Sequence, residues 1–535
     1  MKRLIPVFFI IFSTLLSAQK ELVFVFFKDK PNKAAFYSNP SAELSQKALD
    51  RRKNLNIALN DQDAPVEDTY IQNLKNLGFE VKDSSKWLNG VAIYADAAQI
   101  ELLKLQTYIS KVESFVKSKT TATTNSKIKK FEEFETSRLS TVYNYGVADA
   151  QISQINLKPL HEENFTGKGI TVGVIDTGYP TVDQGNTFAK IRNSGQIKGG
   201  YNFIHKNNDI YNATFNAHGT IILGTMAGYI ENSFAGASPD ADFYLYVTED
   251  TSAEYPMEEI YWIEAAEEAD RKGVDLITSS LGYYIFDDPR YNYTYADMNG
   301  SRTFIARGAQ IATEKGIFVL VANGNEANET WKYLISPADN ANVFSIGAVD
   351  MQGNPSTFSS YGPNALGVIK PDVSARGTAT ATVIGNQITY ANGTSLSTPL
   401  VAGGVASLLQ ALPKNMNRED ISKLILETAS LYPQTNPQIG YGIANFGRAL
   451  QKAVFYYNQL PEGKNLRIFP NPVTNTFYIQ TSEIIKSVEL YDASGRNLKK
   501  LNSESIQNLE GISKGIYILK IDTDKGSYSE KIIKK

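Results

Sequence analysis

Val172-Gly173-Val174-Ile175-Asp176-Thr177-Gly178 is an apolar run that stops on a carboxylate and a glycine turn. A short run of this kind reads as a buried strand. A carboxylate at its carboxyl end stands where open α/β sheets place their ligands. Further apolar runs follow at 243–247, 276–279, 317–321 and 343–349, with helical patterns between them at 258–272, 302–315 and 398–412. Strand and helix alternate in this way from about residue 143 to 457. The pattern predicts a three-layer α/β domain built on a mostly parallel sheet.

Outward from that region the character of the chain changes. Residues 19–118 mix short strands (Leu22 to Phe27, Val91 to Tyr94, Val112 to Val116) with helical patterns, which predicts a small α+β domain. Residues 119–140 turn to Lys, Thr, Ser and Glu and read as a solvated linker open to proteolysis. The peptide-like N-terminus, 1–18, has Lys2-Arg3, then an apolar stretch, then Ser17-Ala18, so a signal peptide cleaved after Ala18 is expected. No later run is long enough to span a bilayer, and the mature protein is expected to have no membrane span. The large domain is bounded at 141–457. Residues 465–535 carry short strands and turns such as Ala493-Ser494-Gly495-Arg496, which predicts a small all-β sandwich.

Composition narrows the chemistry. Lys+Arg 53 against Asp+Glu 56 gives a net charge of -3, so no basic excess argues for nucleic acid as partner. With Cys 0, disulfides, thiol nucleophiles, thiolate zinc sites and iron–sulfur clusters drop out together. With His 3 (His161, His205 and His218), any imidazole base must be one of three residues.

Three motifs carry nucleophilic chemistry when taken together. Asp176-Thr177-Gly178 alone fits a capped turn or half of an aspartic dyad, but no second Asp-Thr-Gly or Asp-Ser-Gly supplies the partner carboxyl. His218-Gly219-Thr220 opens a helix whose Gly224, Ala227 and Gly228 permit close backbone approach; alone, His218 could equally be a surface or core residue. Asn392-Gly393-Thr394-Ser395 precedes Pro399 and a small-residue helix. The hydroxyl of Ser395 is thus predicted at a glycine turn beside a helix N-terminus, where an ordinary capping role is the alternative.

In the order Asp176, His218, Ser395 the sequence resembles the subtilisin-like serine peptidases, the subtilase family, over about residues 143–450. Ser280-Leu281-Gly282, Ala322-Asn323-Gly324-Asn325, Phe358-Ser359-Ser360-Tyr361-Gly362-Pro363 and Lys370-Pro371-Asp372-Val373 match further parts of the family pattern. The resemblance implies Ser395 as nucleophile, His218 as base, Asp176 as the group orienting it, and Asn325 in the oxyanion hole. It implies Ser280, Leu281, Gly282, Ala322, Asn323 and Gly324 as the walls of the primary specificity pocket. Leu396 stands where Met is usual, Asn323 where Ala is usual, and Arg376 where Pro is common.

The α+β domain at 19–118 resembles the inhibitory propeptide of this family, most clearly at Asn89-Gly90-Val91-Ala92-Ile93-Tyr94 and Val112-Glu113-Ser114, and the linker is where its removal is expected. Residues 465–535, with Ile468-Phe469-Pro470-Asn471-Pro472, Gly515-Ile516-Tyr517 and Lys531-Ile532-Ile533-Lys534-Lys535, resemble the C-terminal sorting domain of type IX secretion cargo. The implied protein is a secreted or cell-surface endopeptidase made as a precursor and passed through the periplasm. Its implied partners are protein or peptide substrates, its own propeptide and the type IX machinery. The other readings are a surface binding protein on an inactive peptidase scaffold and a narrow processing peptidase. No cofactor is required and no metal ligand is assigned, although oxygen-rich stretches such as Asp287-Asp288 to Asp297 would admit calcium.

Overall fold

The computed structural model describes residues 19–117, 145–457, 466–469, 471–473, 476–481, 483–504 and 506–535. The expected signal peptide and the linker at 119–140 lie outside the described residues.

In the N-terminal domain, strands β1 (Glu21–Phe27), β2 (Val81–Ser85), β3 (Gly90–Ala95) and β4 (Ile109–Ser114) form an antiparallel sheet in the order β2-β3-β1-β4. Helices α1 (Gln46–Asn54), α2 (Asp68–Asn76) and α3 (Ala97–Lys104) accompany it. The continuous apolar run of β1 is explained by burial on both faces. Val23, Val25 and Phe27 meet Leu74 and Leu103 inside the domain, while Leu22 and Phe24 turn the opposite way, into the large domain.

The large domain holds β5 (Thr171–Asp176), β6 (Ile197–Asn202), α4 (His218–Ala227), β7 (Asp242–Val247), α5 (Met257–Lys272), β8 (Leu276–Ser279), α6 (Phe304–Glu314), β9 (Phe318–Ala322), β10 (Phe344–Val349), β11 (Val373–Arg376) and α7 (Thr394–Ala411). Its main sheet has seven strands in the order β11-β10-β9-β8-β5-β7-β6, every pairing in it parallel. From β5 the chain first builds one side of the sheet and then, from β8, the other. The boundary between β5 and β8 is therefore the point where the strand order reverses, and a crevice opens there beyond the carboxyl ends. One apolar cluster, with Val172, Leu245, Ile346 and Val401, fills one face of the sheet, and a second, with Ile175, Ile260, Val319 and Phe304, fills the other.

The N-terminal domain rests on α5 and α6. Glu267 on α5 accepts from Ser85 Oγ (2.5 Å), Trp87 N (3.0 Å) and Lys86 N (3.2 Å). Asp270 is fully buried and takes Arg52 through both oxygens at 3.0 and 2.8 Å, with Arg51 bonded to it as well. Arg52 also reaches Asp63 at 2.7 Å, and Lys315 closes the group on Asp63 at 3.1 Å. Gly273 ends α5 in the left-handed region (φ 78°), and a Cβ there would stand 2.7 Å from Ala48 N, so its bareness permits both the helix end and the contact.

The C-terminal unit is the all-β sandwich expected from its turns. Strands β12 (Leu466–Phe469), β13 (Thr476–Thr481) and β16 (Ile506–Asn508) form one antiparallel sheet, in the order β12-β13-β16. The strands β14 (Ile485–Asp492), β15 (Asn497–Leu501), β17 (Gly515–Thr523) and β18 (Ser527–Lys534) form the other, in the order β15-β14-β17-β18.

Candidate active site

Asp176 is the last residue of β5 and is fully buried. Its Oδ1 accepts from Thr177 N at 2.8 Å and meets His218 Nδ1 at 2.7 Å. A carboxylate on Nδ1 fixes which imidazole nitrogen carries the proton and leaves Nε2 to act on a substrate or nucleophile. His218 opens α4, with its own N–H bonded to Asn216 Oδ1 at 2.8 Å. The next residue lets the helix close on the strand: a Cβ on Gly219 would lie 2.4 Å from Gly178 O and 3.0 Å from the Asp176 Cβ.

Ser395 lies in the first turn of α7, which begins at Thr394, so the helix starts four residues before the sequence pattern predicted. Pro399 consequently falls inside the helix rather than at its first turn. Lacking an N–H, it cannot pair with the carbonyl of Ser395 four residues back. Ser280 Oγ donates to that carbonyl instead, at 2.9 Å, and Ser395 Oγ reaches Ser280 O at 3.4 Å. The side chain placed in the sequence as a pocket wall is thus also the group that completes the helix behind Ser395.

Asn325 follows β9. Its Oδ1 accepts from Thr394 N (2.8 Å) and Thr394 Oγ1 (2.9 Å), which turns the amide so that Nδ2 is its outward donor. The position a Cβ on Gly393 would take is 3.5 Å from Asn325 Nδ2 and 3.6 Å from Ser395 N. Two N–H donors therefore flank one small space, kept open because residue 393 is glycine at φ 137°. Asp176, Ser280 and Asn325 lie at or just past the ends of β5, β8 and β9, three neighbouring strands at the reversal point.

The segment expected as the second wall, Ala322-Asn323-Gly324, holds a buried polar group. Asn323 Nδ2 donates to Ser360 O at 2.7 Å, while its Oδ1 is buried without a hydrogen-bond partner. Glu326 was not singled out from the sequence, although it directly follows Asn325. Burial pushes its carboxyl up to about 7, against the hydrogen bond that Ser360 Oγ donates to it at 2.7 Å. A Cβ on Gly324 would lie 2.3 Å from Glu326 Oε2, so the carboxyl leans directly on the wall.

The other two histidines stand elsewhere. Burial holds His161 down at about 4, with Tyr145 OH at 2.6 Å from its Nδ1, and His205 lies against Phe215. The oxygen-rich stretch considered for calcium is occupied locally: Asp288 binds Arg290, and Asp297 caps Thr294. Carboxylate oxygens of Glu249, Glu254 and Glu258 lie within 4.8 Å of one another, close enough to share a cation, with Tyr283 OH donating to Glu249 at 2.5 Å.

A buried carboxylate–imidazole pair, a serine at a helix start and two neighbouring N–H donors on a parallel α/β sheet fit the serine peptidase class. Residues 167–442 match the subtilase family model, just over half of the chain, and the chain belongs to that family. Residues 22–132 match a peptidase S8 propeptide domain of Bacteroidota, and residues 467–535 match a secretion system C-terminal sorting domain. The sorting domain marks the protein as secreted or displayed at the cell surface. Subtilisin Savinase of Lederbergia lenta is 30% identical over 296 residues, 55% of this chain and 95% of its own. An alkaline protease of Alkalihalobacillus alcalophilus is 29% identical over 296 residues, 67% of its length. A thermostable alkaline protease of Halalkalibacterium halodurans is 29% identical over 305 residues, 73% of its length.

Proposed function

We propose that the chain is the precursor of a serine endopeptidase that works through an acyl-enzyme. Ser395 Oγ attacks the scissile carbonyl and His218 Nε2 takes its proton. The C–N bond then breaks as the same proton passes to the leaving amine. A water repeats the sequence to release the acid and regenerate Ser395. Asp176 holds the imidazole tautomer and stabilises the imidazolium, while Asn325 Nδ2 and Ser395 N–H receive the oxyanion. Substrate backbone lies between the segments at Ser280, Leu281 and Gly282 and at Ala322, Asn323 and Gly324, as an added strand. This reading requires no cofactor.

The observation that carries it is the 2.7 Å contact of His218 Nδ1 with the buried Asp176 carboxylate, with Asn325 Nδ2 and Ser395 N near one small space beside Gly393. The N-terminal domain acts as an inhibitory propeptide removed at the linker, and the sorting domain directs export across the outer membrane by the type IX machinery.

The test is a fluorophosphonate probe, which would label the processed enzyme on Ser395 and leave Ser395→Ala unlabelled. Ser395→Ala should also lose on the order of 10⁶ in kcat and accumulate as an uncut precursor. Asn325→Ala should lose about 10²–10³ in kcat with KM little changed. Equal hydrolysis by wild type and Ser395→Ala would end this reading.

A further inference from the structure

The contact between the N-terminal domain and α5 is crowded with acids. A cavity of about 340 Å³ between the two domains is lined by the carboxyl groups of Glu43, Asp68, Glu264, Glu267 and Glu268, against the cations of Lys86 and Arg271. Arg271 is already taken by Glu268, which it grips at 2.5 and 2.6 Å. Beside the cavity, Lys206 bonds Asp83 of β2 and, at 2.9 Å, Glu264 of α5, so one ammonium serves two carboxyls facing each other across the boundary. Asp83 is buried, and Tyr261 lies against the same group from α5. One helical turn on, Glu267 is buried beneath the β2–β3 turn with three donors on it, two of them backbone N–H groups; Lys86 is nearby, as is Lys30, which burial lowers to about 8 and which its own domain holds through Lys86 O at 2.8 Å.

We propose that this contact is an acid-strengthened latch, which holds the N-terminal domain on the peptidase at low pH and loosens as the pH rises. The proposal rests on the reading of residues 19–118 as an inhibitory propeptide, and it names how that inhibition is regulated. Burial, then the hydrogen bond and charge of Asp83, push the Glu264 carboxyl well up, and burial pushes Glu267 up as well. Undocked, both side chains face water and lose their protons in the ordinary carboxyl range. The docked state therefore holds protons that the separated domains release. Docking is strongest below the ordinary range and weakens by about tenfold per pH unit for each proton, up to the raised values. Arg52 and Asp63 do not take part: opposite charges outweigh burial there, Arg52 is raised and Asp63 lowered, so both stay charged throughout. The contact thus sets the Arg52–Asp63 pair, which stays charged, beside a titrating margin.

The amides of Lys86 and Trp87 report on the latch, because both donate to Glu267 only when the domains are docked. Their hydrogen exchange would be followed in the full-length Ser395→Ala chain from pH 5.5 to 8.5, with the intrinsic pH dependence divided out. Protection is expected to fall steadily with pH. Glu264→Gln keeps the side chain's shape and removes its charge, so its slope should be shallower, with higher protection at pH 8.5. Lys206→Gln removes the shared cation and should lower protection more at pH 8.5 than at pH 5.5. Protection independent of pH in the unsubstituted latch overturns the proposal, as does an unchanged slope in Glu264→Gln. Failure of the inhibitory reading would look different: a chain with Ser395 intact would be fully active before the linker is cut, whatever the exchange shows.

Discussion

β1 and β17 are both apolar strands in small flanking domains, yet they are built into the molecule in opposite ways. In β1, Leu22, Val23, Phe24 and Val25 are all buried, and alternate residues join two different clusters. Leu22 and Phe24, together with Trp87, Ala92 and Phe115, belong to the same apolar body as Ile260, Phe304 and Val319 of the peptidase domain. In β17, Tyr517 and Leu519 are buried while Ile516 and Ile518 stand 51% and 39% exposed, and the cluster they serve draws every buried member from residues 466–532. A sheet with one face in its own core and the other in a neighbour is an incomplete domain. A sandwich that encloses its own core is a complete one. The difference separates the propeptide domain, which shares its core with the peptidase, from the sorting domain, which does not.

The strongest way to break the comparison is to open the buried ion group. Arg52→Ala leaves Asp270 and Asp63 buried with less compensation, and loss of one partner from such a group costs about 3–5 kcal/mol. Denaturant unfolding of the Ser395→Ala precursor should show the N-terminal domain parting from the peptidase at lower denaturant, ahead of the main transition. A single unshifted transition would mean that the domain does not depend on this group. Next comes the shared apolar contact. Phe115 stacks on Phe304 of α6 at 4.0 Å between ring centroids, and Phe115→Ala should cost about 3–5 kcal/mol, toward the lower end because the site lies at a domain boundary that can close up. Leu519→Ala, in the sandwich, should cost about 2–5 kcal/mol, but only there. Calorimetry should show the sandwich transition falling while the peptidase transition stays in place; movement of both would contradict the separateness of the two cores.

How much of this could be read from the chain follows the range of the interactions. Asp176, His218, Asn325 and Ser395 each sit in a local pattern of strand end, glycine and helix start, and the structure brings Asp176 onto His218. The central strands and helices were legible for the same reason, since apolar runs of period and length are local. The helix start was misplaced because Pro399 normally marks a first turn. Nothing near it in sequence reveals that Ser280, 115 residues away, supplies the donor for the carbonyl it leaves unpaired. The docking charges were invisible for the same reason: Arg52 and Asp270 are 218 residues apart, and each alone reads as a solvated side chain. Glu326 was missed although it adjoins a matched motif, because its raised carboxyl is a product of burial that spacing does not encode.

The smallest expected effect tests the sandwich from the other side. Among the described residues, one tie to the peptidase runs through Tyr478 of β13. Burial, with the charge of Glu163, pushes that phenol up to about 12, and the Gln451 side chain bonds to it. A hydrogen bond of this kind contributes about 0.5–1.5 kcal/mol net. For a unit the size of the peptidase that is a shift of only a few degrees in melting, by about 2–4 °C per kcal/mol. A chain ended after residue 465 should therefore melt within that margin of the full one and cleave peptides at the same kcat/KM, whereas Tyr478→Phe should account for most of whatever shift appears. A larger fall in Tm on truncation, not reproduced by Tyr478→Phe, would mean that the sandwich shares apolar surface with the enzyme as β1 does, and the two flanking domains would then differ in degree only.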